Sequence, residues 1–178
     1  CKIVAGLKPP AAIGARRKKT RIVACGNFQA KDSDLGARVD TQQVYATAVR
    51  MLLRWAAGYR HSIGNVDVTT AFLNARLPVD MTIAVEPPKS LTSWGIVKDP
   101  KERWVLEGAL YGLRVAPRAW QLERDGRLAT VAWTCSKRSR RFVRSRLDPS
   151  VWLIVEAHAK ATEFSACPVF AMMCTDVD

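Results

Sequence analysis

Two acidic sites at widely separated positions in the chain have the residue types for metal-dependent chemistry. Asp67 follows the apolar segment that begins at Ile63, and Asp176 and Asp178 follow the apolar run that ends at Cys174. Carboxylates are the hard oxygen ligands that Mg²⁺ prefers, and such ions support transfer of a nucleotide to a hydroxyl group. An acid after a strand is more often a cap or turn residue. The residues alone therefore leave a catalytic and a structural role open.

Other common site chemistries find little support in the sequence. The chain has five cysteines, an odd number without a CxxC pair, and only two histidines, which lie far apart. This pattern disfavours a disulfide framework and a zinc site, and predicts free thiols. No run of roughly 18 apolar residues and no secretory leader pattern occurs, so we expect an intracellular protein without a membrane partner.

The net charge of +12 is the strongest signal in the composition. Lysine and arginine side chains neutralise phosphates and release counterions, so nucleic acid is the predicted partner. The positive charge is concentrated in two runs, and the candidate nucleic-acid contacts within them are Arg16, Arg17, Lys18, Arg138, Arg140 and Arg141. A solvated surface or a localisation signal would explain the same runs.

Hydrophobic spacing predicts a mixture of helices and strands. Apolar residues recur at helical spacing from Val44 to a stop at Gly58, and a second helix is predicted to begin near Pro117 and to bury Trp120, Leu128 and Val131. Strands are predicted over 20–25, 63–68, 104–106, 151–155 and 169–174, with a turn or short helix after Asp67. These elements indicate an α/β or α+β class.

Several segments, in order, resemble the reverse transcriptase of copia-type LTR retrotransposons. The segment 19–28 is similar to that family's K-x-R-L-V-A-x-G, and 49–53 to its V-V-R-M helix. The segment 67–74, Asp-Val-Thr-Thr-Ala-Phe-Leu-Asn, is similar to D-V-x-T-A-F-L-N almost letter for letter. Further matches are Glu-Pro-Pro at 86–88, Leu-Tyr-Gly-Leu-Arg-Val-Ala-Pro-Arg-Ala-Trp at 110–120, and Asp-Pro-Ser-Val-Trp at 148–152.

The resemblance implies an RNA-directed DNA polymerase fragment that transfers dNTPs to a primer on an RNA or DNA template. It implies catalytic roles for Asp67 and Asp178, and a site for two Mg²⁺ ions, or alternatively Mn²⁺, at Asp67, Val68 and Asp178. Phe72 would lie under the sugar of the nucleotide and disfavour a 2′-hydroxyl, although core packing would also explain it. The remaining implied nucleotide contacts are Lys19, Arg21, Gly112 and Pro117.

The implied fold is α+β, with the fingers and palm of a right-hand polymerase and a chain that stops before the thumb. Residues 1–18 would form an irregular basic lead-in, 19–60 and 75–115 the fingers, and 61–74 and 116–178 the palm. The remainder of a Pol polyprotein, with integrase and ribonuclease H, would be a partner, in a cytoplasmic particle or the nucleus.

The sequence also departs from the family pattern. The family's Y-V-D-D motif is represented by Asp176-Val177-Asp178, with an acid in place of the tyrosine, and Arg124 and Arg127 interrupt the apolar stripe of the second helix. These differences predict impaired polymerase activity. A non-catalytic basic nucleic-acid-binding module and an inactive element remnant are the alternatives.

Overall fold

The computed structural model describes residues 1–8, 17–28, 39–158, 169 and 171–175. The chain forms two compact units, each made from two separate segments. Unit 1 comprises Cys1–Val39 and Thr70–Trp120, and unit 2 comprises Asp40–Thr69 and Gln121–Asp178. The structure confirms the α+β class, because helices and antiparallel strands occur together in the described residues.

Unit 1 contains two small antiparallel sheets. Strand β1 (Lys2–Lys8) pairs with β2 (Arg17–Val23), and β3 (Ile83–Val85) pairs with β4 (Trp104–Leu106). A short helix, α2 (Lys89–Ser93), lies between β3 and β4 in the sequence. The prediction of an irregular lead-in is wrong for residues 2–8. These residues form a strand because they pair with β2. Residues 9–16, including Arg16, lie outside the described residues.

Unit 2 contains helix α1 (Ala46–Gly58) and a sheet of four antiparallel strands in chain order. The strands are β5 (Ala132–Cys135), β6 (Arg138–Arg144), β7 (Val151–Glu156) and β8 (Ala171–Cys174). Val155 on β7 is fully buried and Trp152 is 2% exposed, so β7 forms much of the core. Helix α1 packs against β8 and buries Ala56.

Helix α3 (Ala116–Thr130) begins in unit 1 and ends in unit 2. Pro117 occupies its first turn, where the missing backbone N–H costs no hydrogen bond. Trp120 is 8% exposed, as predicted, but Val131 lies beyond the helix and is 43% exposed. The helix therefore ends at Thr130, one residue before the last member of the predicted apolar stripe.

The predicted strand over residues 63–68 is wrong. Residues 61–68 have no regular secondary structure, and all of them are exposed. A strand requires a hydrogen-bonding partner, and none of the described strands pairs with this segment. Asp67 consequently lies in an exposed, irregular segment of unit 2 rather than at the end of a buried strand.

Candidate active site

The chain turns sharply at Thr70, three residues after Asp67 in the sequence. Thr70 has a left-handed backbone with φ 53° and ψ 41°, and a 3₁₀ turn follows at Ala71–Asn74. The backbone N–H of Leu73 donates to the carbonyl oxygen of Thr70 at 2.9 Å, and the Asn74 side-chain amide donates to the same oxygen at 3.3 Å. A left-handed conformation is rare for a β-branched residue and costs about 1–3 kcal/mol. The turn after Asp67 was predicted from the sequence, but its strain was not.

Phe72 and Arg21 both contact the Tyr111 ring in unit 1. Phe72 is 8% exposed and meets the Tyr111 ring edge-on, with ring centroids 5.1 Å apart and an interplanar angle of 65°. The guanidinium carbon of Arg21 lies over the Tyr111 ring, 5.3 Å from its centroid. Tyr111 therefore makes an aromatic contact with the buried Phe72 and a cation–π contact with Arg21 of β2.

Gly112 allows the chain after β2 to approach the Tyr111 segment closely. The Ala24 N–H donates to the Tyr111 carbonyl at 2.7 Å, and the Gly26 N–H donates to the Gly112 carbonyl at 3.1 Å. A Cβ atom on Gly112 would collide with the Ala24 carbonyl oxygen, and one on Gly26 with the Gly112 carbonyl oxygen. Gly112 also has φ +88°, a conformation that favours glycine. These two glycines hold the end of β2, and with it Arg21, against Tyr111.

All of the predicted nucleotide-binding residues lie in unit 1. Lys19 and Arg21 alternate on β2, which places them on one side of the strand. Lys19 is half-buried and interacts with other residues. Pro117 lies in the first turn of α3 and is half-buried. Arg21, Phe72 and Gly112 are brought together through Tyr111.

The predicted metal ligands are described only in part. Asp67 and Val68 lie in unit 2, where Asp67 is exposed and Val68 is 47% exposed. Asp178, like Asp176, lies outside the described residues. Within the described ranges, no group of three or more His, Cys, Asp or Glu side chains is arranged to hold a metal ion.

Thr175, which follows β8 and precedes Asp176, is hydrogen-bonded to the loop before β7. The backbone N–H and the hydroxyl of Thr175 both donate to the carbonyl oxygen of Ser150, at 2.8 and 3.1 Å. Ser150 is 1% exposed, and its N–H donates to Asp148 Oδ1 at 2.8 Å. Burial, and secondarily the negative charge of Asp148, raises the pKa of the Cys174 thiol.

Comparison with known proteins identifies the family of this chain. The family model described as "Reverse transcriptase (RNA-dependent DNA polymerase)" matches residues 4–155. The chain belongs to the reverse transcriptase family. It is 32% identical over 140 residues to the retrovirus-related Pol polyprotein from transposon RE1 of Arabidopsis thaliana, which covers 78% of this chain and 8% of that protein. It is 30% identical over 154 residues to the corresponding polyprotein from transposon TNT 1-94 of Nicotiana tabacum, covering 85% of this chain and 10% of the relative.

These matches confirm the resemblance to copia-type elements, and they show how much of each relative the chain covers. The reverse transcriptase chain spans a tenth or less of the length of these curated relatives. No solved structure matches it. Among the described residues, no helix is long and apolar enough to cross a bilayer.

Most of the basic run in the second half of the reverse transcriptase chain is strand β6. Arg138 forms an ion pair with Glu156 at 3.5 Å, and Arg141 Nε donates to the Ala157 carbonyl at 3.1 Å. Arg140 lies opposite Glu156 in the β6–β7 register. These contacts give the arginines structural roles, and their binding to nucleic acid stays a prediction. In the first run, Lys18 is exposed on β2, and Arg17 also lies in β2.

Arg124 and Arg127 have partners that sequence analysis did not find. Arg124 is 9% exposed and contacts Asp125 Oδ1 through Nε at 3.0 Å and Nη2 at 2.8 Å. Arg144 Nη2 contacts the other oxygen of Asp125 at 3.0 Å. Arg127 pairs with Glu123, one turn earlier, at 2.7 Å. The interrupted apolar stripe is thus filled by ion pairs and does not itself indicate a decayed sequence.

Proposed function

We propose that this chain supplies the fingers and palm of an RNA-directed DNA polymerase. The observation that carries the proposal is the contact of both Arg21 and Phe72 with Tyr111, next to the close approach at Gly112, in a chain of the reverse transcriptase family. Unit 1 contains this nucleotide-binding set and corresponds to a large part of the fingers. Unit 2 contains Asp67 and the four-stranded sheet, and corresponds to a large part of the palm.

The residues of unit 1 account for selection of a deoxynucleoside triphosphate. Lys19 and Arg21 would hold the phosphates, because charge-assisted hydrogen bonds suit an anionic triphosphate. Phe72 would close the space that a 2′-hydroxyl needs. Since Tyr111 fixes both Arg21 and Phe72, the positions of phosphate and sugar would depend on one another. Gly112 and Pro117 would line the side of the same pocket, where a glycine permits close approach of a base.

Asp67, Val68 and Asp178 would hold two Mg²⁺ ions, with Mn²⁺ as a substitute. The Asp67 carboxylate is exposed and has no ion pair among the described residues, and Val68 can offer only its backbone carbonyl oxygen. Both are hard oxygen donors of the kind Mg²⁺ prefers. When bound, such ions lower the pKa of the primer hydroxyl and neutralise charge on the triphosphate. Thr175, which is bonded to Ser150, would set the position from which the chain continues to Asp178.

The proposed partners follow from the same assignment. They are a primed RNA or DNA template, dNTPs, and the remainder of a Pol polyprotein with integrase and ribonuclease H. We place the polymerase in an intracellular particle or the nucleus. The acid at position 176, where the family has a tyrosine, would add negative charge beside the metals and weaken activity. An inactive remnant that still binds nucleic acid through its net charge of +12 is the second candidate.

Binding of nucleotides separates these two candidates. Fluorescent dATP and ATP would be titrated against the chain with Mg²⁺, together with Arg21→Gln and the control Arg76→Gln, an exposed arginine outside the proposed site. The polymerase assignment predicts preference for dATP, with about tenfold loss in Arg21→Gln, since a charged hydrogen bond contributes roughly 1.5–3 kcal/mol. Equal affinity of both variants would support the remnant.

Primer extension tests the catalytic part of the proposal. We expect weak, Mg²⁺-dependent extension that Asp67→Asn abolishes, because the amide removes the anionic ligand. Extension that persists in Asp67→Asn would contradict the assignment of Asp67. Robust extension by the parent chain would confirm the function and contradict its impairment.

A further inference from the structure

The C-terminal end of α1 is an unusual helix stop. The N–H of His61 donates to the Ala56 carbonyl at 2.8 Å, and the N–H of Arg60 to the Ala57 carbonyl at 3.3 Å. This pair of bonds defines a Schellman motif, whose left-handed residue is usually glycine. Here that residue is Arg60, with φ 56°. A strained conformation at a charged, exposed residue is a reason to look for a function at the turn.

The turn assembles aromatic rings at the surface. The His61 ring stacks on Trp55, with centroids 4.4 Å apart and an interplanar angle of 27°. Tyr59 lies beside both rings, 5.8 Å from Trp55 and 6.1 Å from His61. Tyr59 is 71% exposed and His61 is also exposed. Ring faces therefore remain open to solvent, although aromatic side chains are usually buried when nothing else binds them.

The surroundings of these rings are positively charged. The segment 41–66 contains Arg50, Arg54 and Arg60 and no acidic residue. All three arginines are exposed, and none forms an ion pair with another described residue. At roughly 100° per residue, the side chains of Arg54 and Trp55 project about 100° apart around the helix, and Arg50 lies one turn before Arg54 on the same side.

We infer that Arg54, Trp55, Tyr59, Arg60 and His61 form a binding surface for single-stranded nucleic acid, here called the Trp55–His61 surface. Exposed rings stack on bases of any sequence, and neighbouring arginines contact the phosphates. Tyr59 and His61 would provide the stacking faces, and Arg54 and Arg60 the phosphate contacts. An uncharged protein segment would match the rings but not the unpaired arginines. The inference rests on the proposed function, since it assigns a strand of the template to unit 2, shortly before Asp67.

Anisotropy of a fluorescein-labelled DNA strand of about 12 nucleotides, within the usual range for one binding site, tests this surface. Measurements use the whole chain, with EDTA and without dNTPs. We expect Tyr59→Ala to weaken binding about tenfold, because one stacked base is lost, while Tyr59→Phe retains the affinity. The matched control is Tyr45→Ala, which removes a 66% exposed tyrosine at the other end of α1.

The arginines have a separate readout. In Arg54→Gln the slope of log affinity against log salt should fall by about 0.7, the value for one lost contact to a single strand. Arg76→Gln, at an exposed arginine of unit 1, should leave the slope unchanged. Quenching of a 2-aminopurine base in the strand should decrease in Tyr59→Ala and persist in Tyr59→Phe. The quenching is compared with the strand fully bound, where a merely structural role of Tyr59 would weaken binding without changing the quenching.

Equal affinities of Tyr59→Ala and Tyr45→Ala, with unchanged 2-aminopurine quenching, would overturn the inference. That result would also favour a protein segment as the partner of the surface. Because no metal or nucleotide is present, loss of nucleotidyl transfer cannot produce it. Conversely, failure of dNTP binding or primer extension with normal strand binding would contradict the proposed function and leave the Trp55–His61 surface in place.

Discussion

Substitution of Asp125 by asparagine should destabilise unit 2 strongly. The Asp125 carboxylate lies between two arginines, with one oxygen 2.8 Å from Arg124 Nη2 and the other 3.0 Å from Arg144 Nη2. Asparagine has the same shape but carries no charge and has a single acceptor oxygen. Asp125→Asn would thus leave two cations facing each other across a neutral amide.

The burial of the three side chains sets the magnitude. Arg124 and Asp125 are 10% and 12% exposed, whereas Arg144 is 37% exposed. Removing one partner of a buried pair typically costs 3–5 kcal/mol, because the remaining charge stays desolvated. Arg144 contributes less to the loss in the free energy of unfolding, because water screens its charge and its Nε also donates to the Pro149 carbonyl at 2.7 Å. We therefore expect a loss of about 3 kcal/mol in the free energy of unfolding.

Urea unfolding followed by circular dichroism measures this loss. With a slope of about 2 kcal/mol per molar urea, the midpoint should fall by roughly 1.5 M without a change in slope. The matched control is Glu123→Gln, which breaks the exposed pair with Arg127 on the same helix and should cost about 0.5 kcal/mol. Arg124→Met added to Asp125→Asn should recover part of the stability, since it removes the stranded buried cation.

Two results would refute the reasoning. One is a loss in Asp125→Asn no larger than that in Glu123→Gln, which would mean that water already solvates the cluster. The other is an additive further loss on adding Arg124→Met, which would mean that Arg124 stabilises the helix by packing and not through Asp125.

Two further predictions concern the backbone and a thiol. Gly112→Ala should lower the free energy of unfolding by about 2–4 kcal/mol, because the new methyl group both strains the backbone and collides with the Ala24 carbonyl. The control is Gly95→Ala, at a glycine with φ +70° and open space around it. It should lower the free energy of unfolding by only about 1 kcal/mol in the same urea assay. Equal losses would show that the close approach to Ala24 carries no cost. Cys174 should react with iodoacetamide more slowly than the exposed Cys135 at about pH 8, because its raised pKa reduces the thiolate fraction. Mass spectrometry of the labelled peptides would show which of the two cysteines reacts first. Since the folded pKa is raised, stability should fall as the pH rises through it, and equal labelling rates would contradict the assigned burial.

The sequence alone determined the elements whose signals are local. Helix α1 follows from apolar spacing between Val44 and Gly58, and α3 from Pro117 and Trp120. Strand β7 follows from a short apolar run bounded by a turn, and the turn after Asp67 from the change in residue types. The order of motifs also determined the family, because each motif is read from adjacent residues.

Elements that depend on distant partners were missed. Strands β5 and β6 meet at Ser136 and Lys137, which both have positive φ, a hairpin turn usually made by Asn-Gly. Without that signal, the arginines of β6 read as a charged surface run. The reverse error occurred at 63–68, where an apolar segment has no strand to pair with.

The site residues show the same division. Phe72 and Gly112 could be named from motifs, but only the tertiary structure decided that Tyr111 joins Arg21 to Phe72 and that Gly26 meets Gly112. Likewise, Arg124 reads as a misplaced charge until the fold brings Asp125 and Arg144 together. Residue type sets what a side chain can bind. Which partner it meets depends on contacts between segments far apart in sequence, and these form only when the backbone hydrogen bonds and the core are satisfied together.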